Sequence, residues 1–275
     1  MSNCQTCPSN GNCNDKENCM IENNPMNNVK KIIGVMSGKG GVGKSTVSVL
    51  LAKKLKEMGY KVGILDADIT GPSIPRLLNI SEKRAEATEI GIIPVTTEEG
   101  IKVMSLNLLI DAETQPVIWR GPVIAGAVKQ FWTDVLWEEL DYLIIDMPPG
   151  TGDVALTVMQ SIPISGVVMV SVPQDLVSMI VAKAIIMARK MNINVLGVVQ
   201  NMSYIICPGC NEKIKLFDEE EQDITLDNLD INILGEFPMC KEIVDISKGK
   251  IENLGSDLDG IVTSITERIL KELDK

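Results

Sequence analysis

Histidine is absent from the 275 residues. That removes Ser–His and Cys–His nucleophilic chemistry and the common His-bearing zinc sites. Aromatic residues make up only 3% of the chain, so a core has to be assembled from Ile, Val, Leu and Met. No apolar run approaches the roughly 18 residues that a membrane span needs. The polar N-terminus lacks the apolar stretch of a secretory signal. These absences lead us to expect a cytoplasmic protein with no membrane partner. A basic stripe is missing as well: 26 Lys and Arg stand against 37 Asp and Glu, for a net charge of −11. Nucleic-acid binders concentrate cations to neutralise phosphates, so no nucleic-acid partner is expected.

What is present is a chain 45% hydrophobic, enough for one large α/β domain. Seven cysteines in a cytosolic chain read as thiols or metal ligands more than as disulfides. The first 28 residues carry nine asparagines and four cysteines, with Met1, Met20, Ile21 and Met26 as their other apolar residues. A segment so poor in apolar surface builds no core. Residues 1–28 read as a tail that orders around what it binds, and 29–275 as the folded domain. From Lys30 onward, near-continuous apolar runs end in small or polar residues: "KIIGVMSG", "KVGILDAD", "DYLIIDMPPG", "GVVMVSVP" and "INVLGVVQNMS". Strands buried on both faces have this texture. Helical patterns cover roughly 45–58, 122–138 and 174–191 between them. The alternation predicts an α/β fold, a doubly wound and mostly parallel sheet with flanking helices and with function at the C-terminal strand ends. Residues 91–106 predict a hairpin at the sheet edge around "TEEG".

"GKGGVGKS", residues 38–45, fits G-x-x-x-x-G-K-[ST] between an apolar strand and a helix. Glycines let backbone N–H groups curl around phosphate oxygens, and the helix N-terminus adds a favourable field. Gly38, Lys39, Gly40, Gly41, Val42, Gly43, Lys44, Ser45 and Thr46 are the candidate nucleotide cradle. Lys44 is placed for the β- and γ-phosphates and Ser45 for Mg²⁺. "ILDADITGPS" sets Asp66 and Asp68 just past one strand, and "LIIDMPPGTGD" does the same for Asp146. A carboxylate there can hold Mg²⁺ through water, while a turn or helix-cap role is the ordinary alternative. Asp153, opening the pattern after "PPGTG", reads as a helix N-cap.

"CPGC", residues 207–210, places two sulfurs for one centre, with Pro208 and Gly209 supplying a tight turn. Thiolates suit iron–sulfur clusters or zinc, and a tetrahedral site usually needs four ligands. A redox-active pair is a further option, although such pairs open a helix after a strand. Cys240 stands alone in "FPMCKE" and reads as a small apolar residue. The acidic stretch 217–230 reads as a solvated loop and helix.

The second lysine of "KGGVGKS", Lys39, resembles the mark of the deviant-Walker-A ATPases. Within them, "DADITGPSIP", "WRGPVIAGAVKQFWTDVLWEELDYLIIDMPPGTGD", "QNMSYIICPGC" and "LGEFPM" resemble the Mrp/ApbC branch, the iron–sulfur cluster carrier ATPases. "CQTCPSNGNC" resembles the N-terminal cluster motif of the related cytosolic nucleotide-binding scaffold proteins, with Cys4, Cys7, Cys13 and, further on, Cys19 as thiolates for a tail cluster. The resemblance implies a homodimer in which Cys207 and Cys210 of each copy hold one [4Fe–4S] cluster. It implies ATP and Mg²⁺ as cofactors, weak ATP hydrolysis, and delivery of the cluster to apo iron–sulfur proteins. It further implies that Lys39 contacts nucleotide across the dimer, Asp68 orients the attacking water and Asn201 recognises adenine. The rival reading is a partition or septum-positioning ATPase, a switch on DNA or membrane that shares the P-loop and Lys39. It would need a basic face or a membrane-binding terminal helix, and "DGIVTSITERILKELDK" carries mixed charge.

Overall fold

The computed structural model describes residues 20–69, 71–110, 121–173, 179–215, 229–246 and 254–275. The tail cysteines Cys4, Cys7, Cys13 and Cys19 and most of the acidic stretch 217–230 lie outside them. In chain order the first elements are β1 (Asn28–Ser37), α1 (Lys44–Glu57), β2 (Val62–Asp66), α2 (Ile74–Leu77), β3 (Glu86–Thr88), β4 (Gly91–Ile93), β5 (Val95–Thr96) and β6 (Lys102–Met104). There follow α3 (Gly121–Thr133), β7 (Glu139–Asp146), α4 (Asp153–Ser161), β8 (Gly166–Ser171), α5 (Met179–Lys190) and β9 (Val195–Ile206). The last are β10 (Lys213–Lys215), β11 (Ile233–Pro238), α6 (Lys241–Ile246) and α7 (Ser256–Leu273).

Every apolar run singled out in the sequence is a strand of one sheet, ordered β10-β9-β8-β1-β7-β2-β6-β5, with β11 also on β9. The pairings are parallel except at the two ends, where β10 and β5 run antiparallel. Successive side chains of a strand point to opposite faces, and each run feeds two cores at once. Ile32 and Met36 of β1 with Leu143 and Ile145 of β7 enter one core, beside Val128, Ala155 and Ala184 from α3, α4 and α5. Ile33, Val35 and Ile144 enter the other, beside Val49 of α1 and Ile265 of α7. That division explains why the strands show no alternation in sequence. Among the described residues no helix is long and apolar enough to cross a membrane.

Several local expectations are corrected. The edge hairpin forms around "TEEG" as expected, β5–β6 pairing Val95 with Val103, but its first strand starts at Val95, since Gly91–Ile93 turns back onto β3 as a separate two-stranded sheet. The helix expected over 122–138 stops at Thr133. Val135 bridges to Ile92 and the Leu136 N–H bonds Ile92 O, so residues 134–138 clip the small hairpin to the domain. Asp153 is the first helical residue of α4 and Gly152 is the N-cap. The Asp153 carboxylate acts there through the helix field, without a capping bond.

Residues 20–27, at the end of the expected tail, lie against the domain. Ile21 N–H donates to Ser161 O, and Trp132 Nε1–H donates to Ile21 O, each at 3.0 Å. Asn27 gives its amide to Val135 O at 2.8 Å and accepts from Glu138 N at 2.8 Å. Trp132 is 3% exposed, so its indole N–H has little water to turn to. Removing residues 1–27 should therefore cost about 2–4 kcal/mol more than removing 1–19, roughly 1 per lost bond. Urea unfolding of the two truncations checks this, and equal midpoints would refute it.

Candidate functional site

Parallel neighbours end at the same level, and that is how the acidic residues come together. In the β2–β7 register Asp66 lies opposite Asp146, and in β1–β7 Val35 lies opposite Asp146, three residues before Gly38 opens the glycine-rich loop. The loop needs its glycines for specific reasons. Gly41 and Gly43 have φ of 82° and 84°, the left-handed region, which costs a residue with a Cβ roughly 1–2 kcal/mol. A Cβ on Gly43 would also run into the side-chain amide of Asn201. Gly43→Ala should fold yet weaken nucleotide binding at least about tenfold, through loop strain alone. A titration with fluorescent ATP reads it, and unaltered affinity would refute the assignment.

Lys44, the first residue of α1, is 6% exposed. Its Nζ lies 2.8 Å from Asp146 Oδ2 and 3.8 Å from Asp68 Oδ2. Ser45 Oγ donates to the same Asp146 Oδ2 at 2.6 Å, while Ser48 Oγ lies 2.7 Å from Asp146 Oδ1. Asp146 is thus fully buried with both oxygens bonded. Asp66 is fully buried too, with longer bonds from Asp68 N, Ile74 N and Ser105 Oγ at 3.1–3.3 Å. Burial and then the neighbouring Asp146 push the Asp66 carboxyl up to about 8, with Lys44 pulling the other way.

Lys44, Ser45 and Asp68 border a cavity of about 430 Å³, while Asp66, Asp146 and Ser48 lie fully buried behind that lining. Its polar end is formed by Gly40, Gly41, Gly43, Lys44, Ser45 and Thr46 with Asp68 and Asn201; Leu77, Met202, Ile243 and Val244 add apolar surface. The volume and mixed lining suit a phosphorylated ligand with a flat apolar group. The "PPG" turn closes against it, with Pro149 in the wall and the Gly150 N–H donating to Ser37 O at 2.8 Å. Asn201 is 1% exposed and its Nδ2 donates to Val42 O at 2.9 Å. Lys39 is exposed and is not among the lining residues. Sequence reasoning missed Ser48, Ile243 and Val244. Ser48 stands four residues after Lys44, one helical turn along the same face, which is the signal that could have found it.

Cys207 and Cys210 lie outside the cavity, in the turn joining β9 to β10. The turn is closed by Cys207 N–H to Glu212 O and Asn211 N–H to Cys207 O, both at 2.9 Å, with Asn211 left-handed at φ 58°. Hydrogen bonds from the Gly209 and Cys210 backbone N–H groups, then from the Cys210 thiol, hold the Cys207 thiol below its ordinary range. Burial pushes Cys240 the other way, as suits an inert packed thiol. Among the described residues no group of three or more Cys, Asp and Glu is arranged around a metal; Cys207 is half-buried and Cys210 exposed.

A sequence profile of the ParA family, described as NUBPL iron-transfer P-loop NTPases, matches residues 28–273. The iron–sulfur cluster carrier protein of Clostridium perfringens is 49% identical over 257 residues, covering 90% of either chain. Among solved structures, a nucleotide-binding protein of Archaeoglobus fulgidus in complex with ADP superposes with a TM-score of 0.73 at 44% identity, over 84% of this chain and 90% of its own. The cell division ATPase MinD of Pyrococcus furiosus shares the fold, with a TM-score of 0.62 at 19% identity over 88% of this chain and 98% of its own.

Proposed function

Given that the chain belongs to the NUBPL iron-transfer P-loop NTPase family, we propose that it is an ATP-dependent iron–sulfur cluster carrier of the cytoplasm. Two copies hold one [4Fe–4S] cluster between them on Cys207 and Cys210 of each and pass it to apo iron–sulfur proteins. The observation that carries this reading is the exposed two-thiol turn at the end of β9, the same strand whose Asn201 touches the phosphate loop. A single copy offers two thiolates to a cubane cluster that needs four, and a twofold axis supplies the other two.

In the ATPase site Lys44 moves from Asp146 to the β- and γ-phosphates, and the loop N–H groups take their remaining oxygens. Ser45 Oγ and Asp146 Oδ2, 2.6 Å apart, are hard oxygen donors that fit Mg²⁺. The ion, when bound, neutralises charge on the phosphate oxygens. Asp68 orients the attacking water, Lys39 reaches the nucleotide of the second copy, and Asn201 meets the adenine from the cavity wall. Cys4, Cys7, Cys13 and Cys19 form a second, tail site.

The test is anaerobic reconstitution with iron and sulfide of the chain lacking residues 1–19, which removes the four tail cysteines. About four irons per two chains are expected, the content of one cubane, together with transfer to an apo-protein acceptor that depends on ATP. Four irons per single chain, or zinc that iron cannot displace, would overturn the shared site.

A further inference from the structure

We infer that Asn201 is a positioning residue that couples occupancy of the phosphate loop to the geometry of the Cys207–Cys210 turn. The inference rests on the reading above, in which residues 38–46 take nucleotide and the two cysteines take the cluster.

Three observations carry it. First, the Asn201 amide is buried and bonded to Val42 O, and it sits so close to Gly43 that a Cβ there has no room. A loop that tightens around phosphates cannot shift at Val42 or Gly43 without moving this amide or losing its bond. Closely packed contacts transmit displacement where loose ones absorb it. Second, β9 is tightly bent directly after the contact. Met202 has φ of 55°, a left-handed value rare for a residue with a long side chain. Ser203 Oγ donates back to Gln200 O at 3.1 Å, pinning the bend. The partner strand answers with a register shift between Glu236 and Pro238. A pinned, strained bend is an element with alternative settings. Third, only Tyr204, Ile205 and Ile206 separate the bend from Cys207, and all three pair with β10, the other side of the cysteine turn. Tyr204 O also accepts from Met239 N at 2.7 Å, just ahead of α6, whose Ile243 and Val244 line the cavity. Cavity-lining residues of both β9 and α6 are thereby tied to the segment that carries the cysteine turn.

The experiment needs no iron, so its failure is distinct from failure of the carrier reading. In the metal-free full chain, alkylation of Cys207 and Cys210 by iodoacetamide is followed by peptide mass spectrometry. It is run without nucleotide, with Mg·ADP and with Mg·ATPγS, at nucleotide concentrations shown to saturate each variant. In the parent chain nucleotide should change the Cys207 rate by about fivefold or more, the low end of a genuine coupling. Asn201→Ala, saturated with nucleotide, should bring that ratio close to one. Ser203→Ala, which unpins the bend from outside the nucleotide cradle, should reduce it, and it carries the test if Asn201→Ala cannot be saturated. The parent response should not vary with chain concentration, because the coupling lies within one copy. A parent ratio of one, a full response in both variants, or a response that appears only on dimerisation would overturn the inference.

Discussion

Cys207→Ala should abolish the bridging cluster, not halve it. In a twofold site one substitution removes two of the four thiolates, one from each copy, and the two that remain cannot close the coordination of a cubane cluster. Cys210→Ala should behave alike. In the chain lacking residues 1–19, iron after reconstitution should fall from about four per two chains to near zero, with the visible absorbance of the cluster lost. Hydrolysis of ATP should survive, because neither cysteine lines the cavity, and the turn is exposed, so the fold should not suffer. A cluster that persists in Cys207→Ala would defeat the shared site directly.

Lys44→Ala should act on catalysis and stability together. The ammonium that meets the β- and γ-phosphates is lost, and positioning with charge stabilisation is nearly all that such a site contributes. Hydrolysis should drop roughly a hundredfold or more, the scale for removing one stabiliser of developing charge. In the nucleotide-free chain the substitution also leaves the buried Asp146 beside Asp66 without the cation 2.8 Å away. Breaking such a buried pair costs about 3 kcal/mol or more, so the midpoint of unfolding should fall as well. Asp146→Asn should lose the activity that depends on Mg²⁺ while sparing more of the stability, because the amide keeps the shape and removes one of two adjacent buried carboxyls. Hydrolysis within twofold of the parent in either variant would sink the assignment of the phosphate site.

How much of this was legible depended on how local the cause was. The phosphate loop was readable because glycines, lysine and serine must follow one another in a fixed order for backbone N–H groups to face one anion. Asp66 and Asp146 were readable as strand ends, and parallel register then placed them side by side. Ser105 was not, since a serine after a short strand carries no mark until its carboxylate partner arrives from elsewhere in the chain, and Ser48 could be found only through its helical spacing from Lys44. The edge hairpin around "TEEG" was readable because Val95, Val103 and Met104 bury one side of it, whereas the exposed Glu86–Thr88 strand that pairs Gly91–Ile93 carries no apolar pattern to announce it. Residues 134–138 kept a helical pattern that a cross-chain bridge to Ile92 overrode. The anchoring of residues 20–27 depends on Trp132 and Ser161, more than a hundred residues away, which a composition rich in asparagine does not foretell.

The anchor of residues 20–27 has a practical consequence. Its partners Ser161, Val135 and Glu138 all precede strands, at the pole where β7 and β8 begin. Lys31, near the start of β1, reaches Leu273 O at the end of α7, at that same pole. The phosphate loop and the cysteine turn open at the other pole, where β1 and β9 finish. A fluorophore, a purification tag or an attachment to a sensor surface placed just after α7 therefore sits behind the working face. Immobilised chains should still receive nucleotide, thiol reagents and a second copy arriving from solution, which makes the protein suited to surface-based measurement of how two copies associate.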